Sequence, residues 1–408
     1  MKKNKTVIYK NFIQKKYLKV KLNKKLNKDF EKIKKNIILH LDNNKNIFYT
    51  LSKKFKFNFK LNDIFKFKKF NNIVVVGMGG SILGISAIHS FLEKKIKKNF
   101  LFFDNLDDDQ IQKIKKKYNL NKILFLVISK SGSTIETLSN LLVLKIIKKN
   151  SKNIIIISEK NKNPLFLLSK KMNLFHIEHK NHIGGRFSIL SEVGMVPAYL
   201  MGLNIFKFRK NLLNHFNSKN KKFLKDSSIK LTNIHKNNKF KNIIFMNYVP
   251  QLNNFLYWNQ QLIAESLGKN GKGLLPMISL APKDHHSLLQ LYLDGPKDKL
   301  FYIFSDEIRD KNKSKITQNF FGKKFNFLKN KNLDEIKTAQ TKAFIIALKK
   351  NKIPFREFKI LDFNEKTLGE LFSYFMIETA VIGILLNIDP FNQPAVEQVK
   401  KDTIKILI

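Results

Sequence analysis

Two apolar runs, at residues 73–76 and 123–128, each stop at a turn rich in glycine or hydroxyl residues and pass directly into a helical pattern. Short runs of this kind, dense in Ile and Val and bounded by turn signals, read as strands buried on both faces. Similar runs follow at 100–103 and 154–157, and again at 243–246, 300–304 and 358–361, with helix-like stretches between them. Strands alternating with helices argue for parallel sheets covered on both sides. The expected fold is therefore α/β, as two doubly wound units with a seam in the lysine-rich stretch 206–238. Residues 1–70, lysine-rich with scattered Phe, Leu and Ile, read as amphipathic helices packed on something larger.

Composition narrows the function classes. The chain has 408 residues, enough for two to three domains, and is 43% apolar, so a sizeable core is available. Cysteine is absent, which excludes disulfides, thiolate metal sites and a cysteine nucleophile, and fits a reducing, cytoplasmic setting. The net charge of +46 would by itself point to nucleic acid, but the excess is lysine spread from end to end. Arginine, the preferred residue for phosphate and base contacts, stands only at Arg186, Arg209, Arg309 and Arg356. An AT-rich coding bias accounts for the Lys, Asn, Ile and Phe together, so no nucleic-acid partner is expected. The stretches 73–92 and 371–388 are apolar, yet the first holds Gly77, Gly79, Gly80, Gly84 and His89 and the second Glu378, so no membrane association is expected either.

Six segments carry candidate chemistry. The turn Gly77-Met78-Gly79-Gly80-Ser81 sits between a strand and a helix, where backbone N–H groups and the helix dipole favour an anion; the alternative is a tight turn that binds nothing. A dinucleotide fingerprint would need glycine where Ile82 stands, although Asp104 follows the next strand. Ser129-Lys130-Ser131-Gly132-Ser133-Thr134 offers four hydroxyls and an ammonium at a helix start, a charge-assisted cradle for a phosphate monoester rather than a plain cap. Gly184-Gly185-Arg186 holds a guanidinium able to stabilise an oxyanion, or is a surface turn. Gln261 and Glu265, four apart, share a helix face, and Glu265 is either a general base or a solvated carboxylate. His285 and His286 are adjacent imidazoles suited to proton transfer. Gln393 and Lys400 are seven apart, two helical turns, and are expected to line one side of a pocket. The imidazoles of His176, His179 and His182 would converge on a metal only in a helix, and their surroundings read as a strand, so no metal site is expected.

Taken in order, GMGGSILG, SKSGSTIET, GGRFS with SEVGMVPA, QLIAESLGK, DHHSLLQL and PFNQPAVEQVK resemble the glucose-6-phosphate isomerases, over roughly residues 70–402. The resemblance implies two sugar-isomerase-type α/β/α sandwiches, spanning residues 71–205 and 206–362, between an N-terminal helical segment, 1–70, and a C-terminal helical arm, 363–408. It implies a sugar-phosphate substrate, no cofactor, and a homodimer whose active sites draw on both subunits. It assigns the phosphate to Gly80, Ser81, Ser129, Lys130, Ser131 and Thr134, and the catalytic base to Glu265. Arg186 matches the enediolate-stabilising residue, His286 the ring-opening histidine that crosses the dimer, and Lys400 the ring-opening lysine. Gln261 and Gln393 match substrate hydrogen-bonders. Ala395 departs from the family's glycine, and the chain after Lys400 is short. The implied reaction interconverts glucose 6-phosphate and fructose 6-phosphate through a cis-enediol. A bifunctional isomerase that also takes mannose 6-phosphate, a non-catalytic sugar-phosphate sensor and a dinucleotide enzyme are the alternatives.

Overall fold

The computed structural model describes residues 6–216, 221–237, 239–307 and 314–408. Arg309 and part of the expected seam, residues 217–220 and Asn238, lie outside these. In chain order the strands are β1 (Val7–Phe12), β2 (Asn72–Gly77), β3 (Asn99–Phe103), β4 (Ile123–Ile128), β5 (Ile154–Ser158), β6 (Phe175–Glu178), β7 (Asn242–Asn247), β8 (Leu275–Leu280), β9 (Lys299–Asp306) and β10 (Phe355–Ile360). They form two five-stranded sheets among the described residues, ordered β3-β2-β4-β5-β6 and β1-β10-β9-β7-β8. Every pair in the first sheet is parallel. All of β4 is buried, which is why its sequence is apolar throughout rather than alternating. The α/β expectation holds, and β2 and β4 lie side by side with Gly77 opposite Ile128. The glycine turn and the hydroxyl-rich turn therefore leave the same edge of the sheet as neighbours, at its carboxyl end, where ligands bind in open α/β sheets.

Two elements differ from the sequence reading. The N-terminal segment is not wholly helical: β1 pairs antiparallel with β10, from Val7 opposite Ile360 to Phe12 opposite Phe355. Lys10 and Asn11 interrupt its apolar pattern because neither face of this edge strand is fully covered: Lys10 is exposed and Asn11, on the opposite face, is half-buried. Strand β8 carries no clear strand signal in the sequence, because Pro276 sits inside it and Leu275, Met277 and Leu280 are exposed; an edge strand tolerates the missing N–H.

The two sheets share one core. A continuous buried cluster takes in Ile73 and Leu126 from the first, Phe245 and Phe304 from the second, and the helices Leu83–Leu92, Asn253–Leu267 and Glu365–Leu385 between them. The last of these is the only helix among the described residues long and apolar enough to cross a bilayer, and 94% of its apolar window is buried inside the fold. Its Glu378 explains how a charge can stay there. The carboxylate accepts a bidentate pair from Arg356, Nη1 at 2.9 Å and Nη2 at 2.7 Å, and further bonds from Ser227 Oγ at 2.5 Å and from Tyr374. Removing one partner of such a pair leaves an uncompensated buried charge. Glu378→Ala is expected to lower unfolding stability by about 3–5 kcal/mol, read from denaturant titration; a loss below about 1 kcal/mol would show that the network is dispensable.

Candidate active site

The site lies on the turns after β2 and β4 and on the helix Asn253–Leu267, which packs across Leu83–Leu92. After β4, Ser129 is buried and its Oγ lies 2.9 Å from Thr134 Oγ1. Thr134 occupies the N-cap of the helix Ile135–Leu144 but makes no side-chain capping bond, so its hydroxyl is turned into the loop. The first-turn N–H groups of that helix keep their donors toward the same space. Ser131 Oγ accepts from Ser133 N at 3.3 Å, closing the cradle. Gly132 makes this path possible: its φ is +63°, and a Cβ there would fall 1.8 Å from Asn163 Oδ1. Lys130 borders the cradle and stands 3.8 Å from Glu159 Oε1. Burial depresses its ammonium pKa, Glu159 partly offsets this, and the charge of Arg186 lowers it further.

The glycine turn has a second purpose that the sequence does not display. A Cβ on Gly80 would lie 2.3 Å from the carbonyl carbon of Gly185 and 2.5 Å from Arg186 N. Gly80 thus lets the two glycine turns touch, and that contact brings Arg186 against the carboxyl end of the sheet. Ser81 closes the short turn Gly79–Ser81 and is partly buried.

Glu265, near the end of its helix, keeps 25% of its side chain exposed, while the Arg186 side chain keeps 1%. The Glu265 carboxylate accepts from Gln261 Nε2 at 2.8 Å and from Arg186 Nη1 at 3.1 Å. Arg186 donates further from Nε to Ser266 Oγ at 2.8 Å, from Nη1 to Gln393 Oε1 at 2.7 Å, and from Nη2 to the carbonyls of Pro390 at 2.7 Å and Asn392 at 2.9 Å. Burial lowers the Arg186 pKa and the Glu265 charge opposes this, so the guanidinium stays a cation. A carboxylate that is reachable, a fixed cation beside it and a hydroxyl-lined turn form one arrangement whose chemistry suits proton transfer next to a carbonyl.

Ser129, Lys130, Ser131, Thr134, Gly80, Ser81, Gln261, Glu265, Arg186 and Gln393 are carried on these adjoining elements. His286 and Lys400 are not joined to them within the chain. His286 is exposed after the turn Lys283–His285, whereas its neighbour His285 is taken up 2.6 Å from the Tyr248 hydroxyl. Lys400 is exposed and pairs with Glu397 at 2.7 Å. The two-turn spacing of Gln393 and Lys400 is corrected: the helix Val396–Leu407 starts only after Gln393, which lies in the preceding loop. His176 Nε2 lies 2.9 Å from Ser158 Oγ and His179 Nε2 lies 3.0 Å from the Ile183 carbonyl, so these rings have separate partners. Among the described residues no group of three or more His, Asp or Glu is placed to hold a metal ion. Ile82, standing where a dinucleotide fingerprint needs glycine, is fully buried, and Asp104 is exposed after β3. Ser266, Glu159 and the carbonyls of Pro390 and Asn392 are the participants that sequence reasoning missed. Ser266 stood inside a noted motif; carbonyls carry no side-chain signal.

The phosphoglucose isomerase family model matches residues 34–407. The chain is 36% identical over 354 residues to the glucose-6-phosphate isomerase of Methanocaldococcus jannaschii, covering 82% of this chain and 85% of that one. It is 34% identical over 347 residues to the glucose-6-phosphate isomerase of Campylobacter jejuni, covering 80% and 82%. In fold it is similar to a hypothetical protein from Thermus thermophilus, with a TM-score of 0.83 at 22% identity, over 98% of this chain and all of the other. The cradle geometry has a direct check. Gly132→Ala must strain the loop or push Asn163 aside, so inorganic phosphate affinity by calorimetry is expected to fall about tenfold or more; unchanged affinity would remove this loop from the anion site.

Proposed function

This chain belongs to the phosphoglucose isomerase family, and on that premise we propose a reading of its site: it is a glucose-6-phosphate isomerase, an aldose–ketose isomerase acting through a cis-enediol. The observation that carries the reading is the Glu265 carboxylate, exposed on one side and held on the other by Gln261 and Arg186. The Ser129–Thr134 cradle binds the phosphate and supplies remote binding energy that positions the carbon skeleton. Ring opening moves a proton between O5 and O1, with His286 and Lys400 as its agents. Glu265 then takes the C2 proton and returns it at C1, serving as base and then acid. Negative charge that develops on the enediolate oxygens meets the field of the Arg186 guanidinium. Between these two transfers the hydroxyl proton passes from O2 to O1 across the cis-enediolate, so that C1 ends as an alcohol and C2 as the carbonyl.

A homodimer with shared sites follows from the same reading. Among the described residues His286 has no hydrogen-bond partner in this site, and it is exposed close in sequence to the edge strand β8, where Leu275, Met277 and Leu280 are also exposed. The helix Val396–Leu407, which bears Lys400, leaves Val399, Ile404, Ile406 and Leu407 uncovered as well. Uncovered apolar surface at both ring-opening residues supports burial against a second copy. A cytoplasmic location is part of this proposal and rests on the cysteine-free composition and the metabolic substrate.

Turnover of fructose 6-phosphate in EDTA, read through a coupled dehydrogenase, tests the reading; no turnover, or turnover lost in EDTA, would reject it. Glu265→Gln is expected to lower kcat at least about a hundredfold with substrate binding largely kept, and near-normal turnover would remove Glu265 as the base. Mixing inactive Glu265→Gln and His286→Ala proteins after subunit exchange should recover roughly a quarter of normal activity, because half the dimers would hold one intact site. No recovery would place both residues in sites built from one chain.

A further inference from the structure

A guanidinium has five N–H donors in a rigid fork. In Arg186 all five are engaged within the chain: one by Ser266, two by Glu265 and Gln393, and two by the carbonyls of Pro390 and Asn392. The fork can therefore be aimed only one way at a time, and the acceptor at its root decides which. That acceptor is Ser266. Successive helix residues point about 100° apart, so as Glu265 is turned outward, Ser266 is turned inward, and it is fully buried. The Phe187 ring, 5.4 Å from the guanidinium carbon, flanks the fork without offering it an oxygen.

We infer that Ser266 is a positioning residue for the isomerisation: by accepting the Arg186 Nε–H it sets the rotation of the guanidinium, so that Nη1 meets the Glu265 base and Nη2 holds the 390–392 backbone. The inference rests on the reading of Glu265 as base and deepens it, because Ser266 touches neither substrate nor the reacting carbons. Its consequence reaches into the C-terminal segment. That segment is held by its backbone, through Arg186 on Pro390 and Asn392 and through Lys272 on the Leu386 carbonyl, while Phe391 packs against Phe48 and Phe187. The same rotation that aligns the base thus fixes the chain leading into the helix Val396–Leu407. Without the Ser266 hydroxyl the Nε–H is left buried with no acceptor, and the fork turns to find one.

The test uses the full chain and two readouts. Ser266→Ala is expected to lower kcat about tenfold or more while KM for fructose 6-phosphate stays within about threefold, and Ser266→Thr, which keeps the hydroxyl, should recover most of the turnover. The second readout is independent of activity. The sequence holds four arginines, so protein carrying isotope-labelled arginine gives a sparse set of Nε–H resonances, and Arg186→Lys identifies the one that belongs to Arg186. That resonance should shift and exchange faster with solvent in Ser266→Ala. A Ser266→Ala kcat within about twofold of normal, KM raised with kcat unchanged, or an undisturbed Arg186 resonance would overturn the positioning role. A wild-type protein inactive on fructose 6-phosphate, with the Arg186 resonance displaced in Ser266→Ala, would instead overturn the functional reading and leave the geometry standing.

Discussion

One buried guanidinium ties together stretches of chain that are distant in sequence. Arg186 reaches Glu265 and Ser266 on one helix, and Pro390, Asn392 and Gln393 in the loop before the last helix. A cation so deeply buried is tolerable only when its donors are satisfied and a counter-charge stands near. Both conditions are met by the groups that shape the site. The arrangement in turn needs Gly80, since any side chain there would force the Gly185–Arg186 backbone off the turn that follows β2. Glu265, the two glycine turns and the C-terminal loop are thereby held as one unit.

The architecture serves this joint. The turns after β2 and β4 leave neighbouring parallel strands at one level, so the hydroxyl-rich turn and the glycine turn lie side by side without a long loop. The second sheet contributes the helix of Glu265, which follows β7 and packs on Leu83–Leu92 of the first unit. A core that runs from Ile73 through Phe245 to Phe375 makes the two sheets one packing unit, and strand β1 brings the start of the chain onto β10 near its end. Tyr9 of β1 then packs on Tyr374 with ring centroids 4.9 Å apart, and Thr6 donates to Glu370 at 2.9 Å. Both anchors lie on the central helix, so the N-terminal strand helps to seat the element that separates the sheets.

What the sequence made legible follows from which face of the chain carried the signal. Strand β4 could be read because burial on both sides leaves only Ile, Leu, Phe and Val; β1 could not, because its partner lies about 350 residues away and Lys10 and Asn11 blur its pattern. Strand β8 hid behind Pro276 and its exposed Leu275 and Met277. In the site, side chains with distinctive chemistry stood out, among them Ser129, Thr134, Glu265 and Arg186. The carbonyls of Pro390 and Asn392 were silent, since a backbone acceptor can belong to any residue. Gly80 was visible as a glycine, but the reason for it, contact with Gly185, is a tertiary fact. The Gln393–Lys400 spacing misled because it assumed a helix that begins only at Val396.

The central claim is that one carboxylate moves one proton between neighbouring carbons through an enediol. Isomerisation of glucose 6-phosphate in deuterium oxide tests it most directly, by nuclear magnetic resonance of the fructose 6-phosphate formed. A proton held on Glu265, whose side chain is 25% exposed, has the opportunity to exchange with solvent before it is returned. The account predicts a share of product with deuterium at C1. Product formed at a normal rate with no solvent deuterium at C1 would indicate direct hydride transfer between the carbons and contradict it.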